Sequence, residues 1–347
     1  MKTAKHSATA VVVLVLFAFL AGQSAAGRYY NDKVEDKVRK EVEKAINENR
    51  GIGATLVRLV FHDCWVNGCD GSVLLDHSAD GSSPEKNAVN NIGLAGFDVI
   101  DRIKDKVRND NVSCADIVVL AGRDAVAILS GEKITYKVAR GRLDGVRSSA
   151  SDADAALPTS DFDFGRLKSN FASGFRNFSV EELVVLSGAH SIGVAHLSSY
   201  AKRLSAADTP DFQIDSSYRA ALSSVTPPAL LGQNQDPTVP NNVRDETAEF
   251  QRQANYDPVA LGVSPKKLVL DNSYYHNTLE NKVLFKSDWV LRTDGEAAGK
   301  LEEYRDKPED WNSDFADAMA KLSSLPAQGS NLEVRRNCRV TNSYRQY

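Results

Sequence analysis

Very little of this chain alternates apolar with polar residues at the period of a β-strand, and that shortage argues against a fold built mainly on sheets. Long hydrophobic runs are missing too: beyond the first 26 residues no stretch approaches the length of a membrane span. Positive charge is not in excess. There are 42 Lys and Arg against 46 Asp and Glu, a formal charge of −4, which argues against nucleic acid as a partner. There is no internal repeat and no low-complexity tract. Cysteine and histidine are scarce, at four and six in 347 residues, so the places where they gather carry information.

What is present begins with a targeting segment. Lys2 and Lys5 precede the apolar run "ATAVVVLVLFAFLAG", and "SAAG" then offers small residues at Ser24 and Ala26. This is the layout of a secretory signal peptide over residues 1–26, too short and too close to the N-terminus for an anchor. Its removal leaves 347 − 26 = 321 residues. Because the segment carries two lysines and no acid, the formal charge moves from −4 to −6. A chain of that length suits one large domain or two closely packed halves. The expected product is secreted, with no membrane contact after processing. Disulfides are then open to it, and Cys64, Cys69, Cys114 and Cys338 admit three pairings. The sequons at Asn111 and Asn177 are open to glycosylation in the same compartment.

The sequence predicts a mainly α fold. In "NDKVEDKVRKEVEKAINENRG", Val34, Val38, Val42 and Ile46 recur at intervals of four before Gly51, the pattern of a helix with one buried stripe. A more apolar, buried helix is predicted over Ala54–Asp63. Further helices are predicted at Phe97–Arg108, Cys114–Ser130, Phe164–Phe175, Asn272–Asn281 and Trp311–Leu322. Another starts at Ser179, where Glu182 completes a capping box. "KITYKVARGRLDG" (133–145) predicts a short hairpin. Thr209 to Glu246, rich in Pro, Asn, Asp and Ser, reads as a long irregular excursion.

Chemistry concentrates in "RLVFHDCWVNGCDGS", from Arg58 to Ser72. On a helix Arg58 and His62 are four apart and share a face, with Phe61 beside them. Placing an arginine and a histidine on a buried helix costs energy unless something reactive occupies the space they face. The pair suits a pocket in which a base works beside a fixed positive charge. In "DCWVNGCDGS", Asp63, Asp70 and Ser72 offer oxygen ligands, while Gly68 and Gly71 let carbonyls turn inward. That is suitable for calcium, although the spacing is not that of an EF-hand. Cys64 and Cys69 are close enough to staple this loop.

These segments resemble the class III plant secretory peroxidases. The likeness continues through "SPEKNAVNN", "VSCADIVVLAGRDAV", "GRLDG", "LVVLSGAHSIGVAH", "LDNSYYHNTL", "FKSD" and "RRNCRVTN", in the family's order along nearly the whole mature chain. It implies a haem peroxidase fold over 27–347. One haem b would lie between a distal half, about 27–150, and a proximal half, about 151–347. In "SGAHSIG", His190 would be the iron's axial ligand and Asp288 its carboxylate partner. On the opposite face His62 would relay a proton in hydrogen peroxide and Arg58 would stabilise the developing charge. Asn91 would orient His62, and Glu85 would support Asn91. Pro158 would contact a small phenolic reductant. A distal calcium would take the side chains of Asp63, Asp70 and Ser72 and the carbonyls of Val66 and Gly68. A proximal calcium would take Ser191, Ser264 and Asp271, with Asp257 a candidate for the remaining acidic ligand. Cys64–Cys69 and Cys114–Cys338 match two family disulfides, and a monomer is expected.

The chain also departs from the pattern. The family has eight cysteines; the bridge tethering the N-terminal helix and the one after His190 are absent here. Trp65 replaces a common phenylalanine, Ser191 a threonine, and Leu197 and Ser199 alter the proximal helix. Two other readings compete: a secreted wall-associated protein that binds haem with little turnover, and a zinc hydrolase using His62, His190 and His196. The first predicts no spectral response to peroxide. The second lacks the i,i+4 histidine pair usual for zinc.

Overall fold

The stripe of Val34, Val38, Val42 and Ile46 is buried along one face of the first helix of the computed structural model, α1 (Asp32–Glu48). The structure describes residues 32–193, 195–205, 213–225, 243–244 and 269–344. Helices dominate it, as the scarcity of alternating patterns requires. After α1 come α2 (Gly51–Asn67), α3 (Phe97–Lys106), α4 (Cys114–Leu129), α5 (Ala150–Ala156), α6 (Phe164–Ala172) and α7 (Val180–Ser187). They are followed by α8 (Ala201–Ser205), α9 (Ser216–Val225), α10 (Ser273–Leu279), α11 (Lys286–Trp289), α12 (Gly295–Asp306) and α13 (Pro308–Ser323). Among the described residues the only strands are β1 (Ala195–His196) and β2 (Val243–Arg244), paired antiparallel with Ala195 opposite Arg244.

Local signals explain several boundaries. Ser113 Oγ accepts the Asp116 amide at the start of α4, and Ser179 and Glu182 close a full capping box on α7. Pro308 occupies the first turn of α13, where its missing N–H costs nothing. The centre of the first half is the crossing of α2 on α4, both apolar on most of their faces. They meet at Gly122: a Cβ there would collide with Cγ2 of Val60, so only glycine permits this approach. Helices α1 and α3 cover α4. In the second half α7 packs on α12 and α13, α10 packs on α12 and on the turn 188–191, and α13 reaches back to α2. Disulfides join Cys64 to Cys69 and Cys114 to Cys338.

Three expectations need correction. Residues 133–145 form no hairpin; the segment is extended and unpaired except for a single bridge from Asp144 to Glu333. Its side chains turn elsewhere, Arg140 to Glu35 on α1 and Arg142 to Asp116 on α4. The buried helix predicted from Ala54 to Asp63 runs from Gly51 to Asn67, because Cys64, Trp65 and Val66 continue its buried face. The excursion 209–246 contains helix α9 and strand β2. Its other residues lie mostly outside the described ones.

Candidate active site

Arg58 and His62 occupy adjacent turns of α2, and a backbone turn opposite holds them. His62 is 8% exposed. Its Nδ1 lies 2.5 Å from Oδ1 of Asn91, on the short turn Val89–Asn91. An amide oxygen only accepts, so this contact puts the ring proton on Nδ1 and leaves Nε2 as the basic nitrogen. Arg58 agrees: its Nε donates to His62 Nε2 at 3.1 Å and its Nη2 to the carbonyl of Asn90 at 2.7 Å. Burial, and then the Arg58 charge, push His62 down to about 3 against the opposing Asn91 bond, so the imidazole is neutral. Burial also lowers Arg58 to about 10, which leaves it charged at neutral pH.

Asn91 is held in turn by Nδ2 donating to Glu85 at 2.8 Å, but to its main-chain carbonyl and not its carboxylate. Glu85 thus holds Asn91 through its backbone. The Asn90 carbonyl, which fixes Arg58, had no signal in the sequence.

His190 lies on the turn Gly188–Ser191 directly after α7. Nδ1 is 2.8 Å from Oδ1 of Asp288, on α11, which leaves Nε2 as its other nitrogen. The side chain is 47% exposed. Phe285 and Tyr274 meet the ring edge-on at 5.4 and 6.2 Å. Burial would lower His190, but Asp288 outweighs it and the net direction is upward. The Arg58 charge also acts on His190, in the lowering direction. Gly193 borders the same region, its Cβ position 3.4 Å from Ala54 on α2.

Beyond His62 the end of α2 runs into a loop with buried acids. Asp63 Oδ2 accepts the Gly71 amide at 3.0 Å and Asp70 Oδ1 the Ser72 amide at 3.0 Å. Asp63 Oδ1, Ser72 Oγ and both carboxyl oxygens of Glu85 are buried without a hydrogen-bond partner. Burial, then repulsion from Asp70, raises Asp63, and burial raises Asp70 to about 6. Glu85 is raised by burial and by both aspartates. Among the described residues no three carboxylate, imidazole or thiol groups converge as a metal cluster. An ion here would therefore need the Ser72 hydroxyl and backbone carbonyls beside Asp63 and Asp70. Buried orphan oxygens of this kind suit a hard cation.

The loop is clamped from outside by contacts the sequence did not signal. Asp70 carbonyl accepts the Gly145 amide at 2.7 Å, and Arg335 Nη2 donates to the Gly71 carbonyl at 2.5 Å. Asp144 accepts from the amides of Ala115 and Arg335. For the proximal set, Ser191 is buried and Asp271 Oδ1 accepts the Ser273 amide, whereas Ser264 and Asp257 lie outside the described residues. Pro158 is half-buried in the loop between α5 and α6, whose Ser160 carbonyl accepts the Ser287 amide of α11.

A model of the peroxidase family matches residues 38–307, so the chain belongs to that family and is a peroxidase. It is 39% identical over 323 residues to Peroxidase 2 of Zea mays, covering 91% of this chain and 88% of that one. Peroxidase 5 of Vitis vinifera is 36% identical over 342 residues, 96% of each chain, and Peroxidase 24 of Arabidopsis thaliana 36% identical over 317 residues, 89% and 83%. These relatives place it with the class III plant peroxidases, whose family generally binds haem.

Proposed function

We propose that the protein is secreted after removal of residues 1–26, binds one haem b, and reduces hydrogen peroxide to water while oxidising small phenols in one-electron steps. The observation that carries this reading is the matched use of two histidines. His62 and His190 each commit Nδ1 to a side-chain oxygen, which leaves Nε2 of each, with Arg58 beside that of His62, as the nitrogen for chemistry. A half-exposed imidazole whose Nδ1 is held by a buried carboxylate fits an iron porphyrin held by His190. Haem, when bound, supplies the iron centre that takes up the oxidising equivalents of peroxide.

The remaining chemistry belongs to the chain. His62 Nε2 accepts a proton from peroxide and returns it to the departing oxygen, so that water leaves instead of hydroxide. Its neutral form, held by Asn91, is the form that can do so. Arg58 now occupies Nε2; a peroxide entering there replaces that contact and takes the guanidinium as partner for the charge that develops. Asp288 accepts the Nδ1 proton of His190 and makes that imidazole a stronger electron donor. Pro158 lines the approach for the reductant. Asp63, Asp70 and Ser72 with the carbonyls of Val66 and Gly68 would hold a calcium, whose charge would neutralise the buried acids and fix the end of α2; a second calcium would use Ser191, Ser264 and Asp271. Both disulfides are compatible with an oxidising compartment, and among the described residues no helix is long and apolar enough to cross a membrane.

An absorption spectrum of the purified protein tests the reading: a Soret band that shifts on adding peroxide and returns on adding a phenol. A haem-bound protein whose band ignores peroxide would refute the activity. A protein that binds no haem would refute the cofactor.

A further inference from the structure

Asp288 is 3% exposed, and three groups bear on it. His190 Nδ1 lies 2.8 Å from Oδ1, and the Tyr274 hydroxyl donates to the same oxygen at 3.1 Å. Arg203, 1% exposed, is the third: its charge acts on Asp288 while its Nη atoms donate to the carbonyls of Val283, Phe285 and Gln213. Tyr274 itself is fully buried on α10, packed edge-on against both His190 and Tyr275. Burial, then the charge of Asp288, raises its hydroxyl well above the usual range, so it stays a donor.

We propose that Tyr274 is a positioning residue for the peroxidase reaction, one that limits how strongly Asp288 draws on the Nδ1 proton of His190. The inference rests on the reading of His190 as the iron's ligand. A carboxylate oxygen that accepts two donors gives less to each, because the second polarises electron density away from the first. With Tyr274 in place the imidazole keeps more of its proton and donates less to whatever Nε2 binds. Without it, Asp288 pulls harder and the imidazole becomes more anionic in character. Arg203 acts in the same direction from further away, through charge rather than a hydrogen bond. Hence the axial base is set by a balance in which Asp288 pulls and Tyr274 with Arg203 restrain. The size of a phenylalanine at 274 would preserve the packing and remove only the restraint.

The test uses the haem-loaded enzyme carrying Tyr274→Phe. Resonance Raman of the ferrous form should show the iron–histidine stretch moved to higher frequency. The ferric-to-ferrous equilibrium should shift about tenfold toward ferric, the effect of losing one charge-assisted hydrogen bond. Wild-type enzyme grown with 3-fluorotyrosine, whose hydroxyl is the stronger donor, should move the band the opposite way. That second arm holds even if the substituted protein folds poorly. A space-filling tyrosine would move neither, so a band unchanged in both arms overturns the proposal. Absence of any iron–histidine band in the wild-type enzyme overturns the ligand reading, and this inference with it.

Discussion

Replacing Gly122 by alanine tests whether the α2–α4 crossing is what holds the distal residues in place. The added Cβ would fall against Cγ2 of Val60, closer than real Cβ atoms approach, with the Leu56 carbonyl of the same helix 3.4 Å away. Valine on a helix has essentially one χ1 rotamer, so its methyl cannot swing aside and the helices must part. Overpacking a close-packed core typically costs about 1–3 kcal/mol. At roughly 2 °C per kcal/mol for a large domain, the melting temperature should fall by a few degrees. The kinetic effect should be larger in proportion. Val60 stands between Arg58 and His62 on α2, and a shift of about 1 Å in a reacting group can cost roughly 10²-fold in rate. The assay is the second-order rate of the peroxide-induced spectral change, measured beside thermal unfolding. Adding Val60→Ala removes the obstructing methyl groups, and much of both losses should return, a strong coupling between touching sites. A Gly122→Ala enzyme as stable and as fast as the parent would refute this account. So would a double variant worse than either single one.

Other outcomes follow from the same geometry. His62→Leu should lower the rate with peroxide by about 10²–10⁴-fold while the Soret band is retained, the loss expected when a proton carrier is removed. Cys338→Ser opens a tether across 224 residues. In the chain-entropy model it should cost roughly 5 kcal/mol, visible as a lower unfolding midpoint; a parent equally heat-resistant with and without reductant would contradict this. Burial opposes ionisation of Glu35, but bonds from Arg123 and Arg140 outweigh it, so its folded value lies below the ordinary 4.5. A depressed carboxyl contributes stability above that value and loses it as pH falls through the folded one. Protection of the α1 amides against hydrogen exchange, taken relative to their intrinsic rates, should therefore fall as pH drops below about 4.5, and also in high salt, and Glu35→Gln should remove the acid response.

The sequence was most legible where one periodicity or one cap decides a structure. The valine stripe of α1, the capping box of α7 and the Arg58–His62 spacing on α2 all rest on local geometry, and all are found. The expected hairpin at 133–145 failed because extended backbone alternates whether or not a partner strand exists; here Arg140 and Arg142 bind helices instead. Helix α5 was missed although Ser149 caps it, being only seven residues long and almost free of apolar periodicity. Helix α12 was missed for a similar reason, with buried Ala297, Leu301 and Tyr304 among charged residues and the cap at Asp294 as the available signal. Main-chain contacts are the least legible class. Nothing in the identity of Asn90 or Glu85 says that their carbonyls hold Arg58 and Asn91. The meeting of Tyr274 with Asp288, 14 residues apart on separate helices, likewise depends on tertiary packing.

One helix thus serves three demands at once. Arg58 and His62 meet on one face, Asp63 starts the acidic loop, and Cys64 is bonded to Cys69 within it. Successive residues on a helix point in different directions, so the base, the ion ligand and the staple can sit side by side without competing for space. The cost is that the end of α2 gathers buried carboxylates that repel one another. The buried Arg335 charge answers part of this, while Asp144 adds to the repulsion on Asp70. Arg335 reaches the loop because the Cys114–Cys338 bridge ties its segment to the start of α4. A bridge between residues 224 apart therefore bears on a loop whose acids begin one residue after His62. This coupling explains how two disulfides suffice to hold that end of α2: both border the loop.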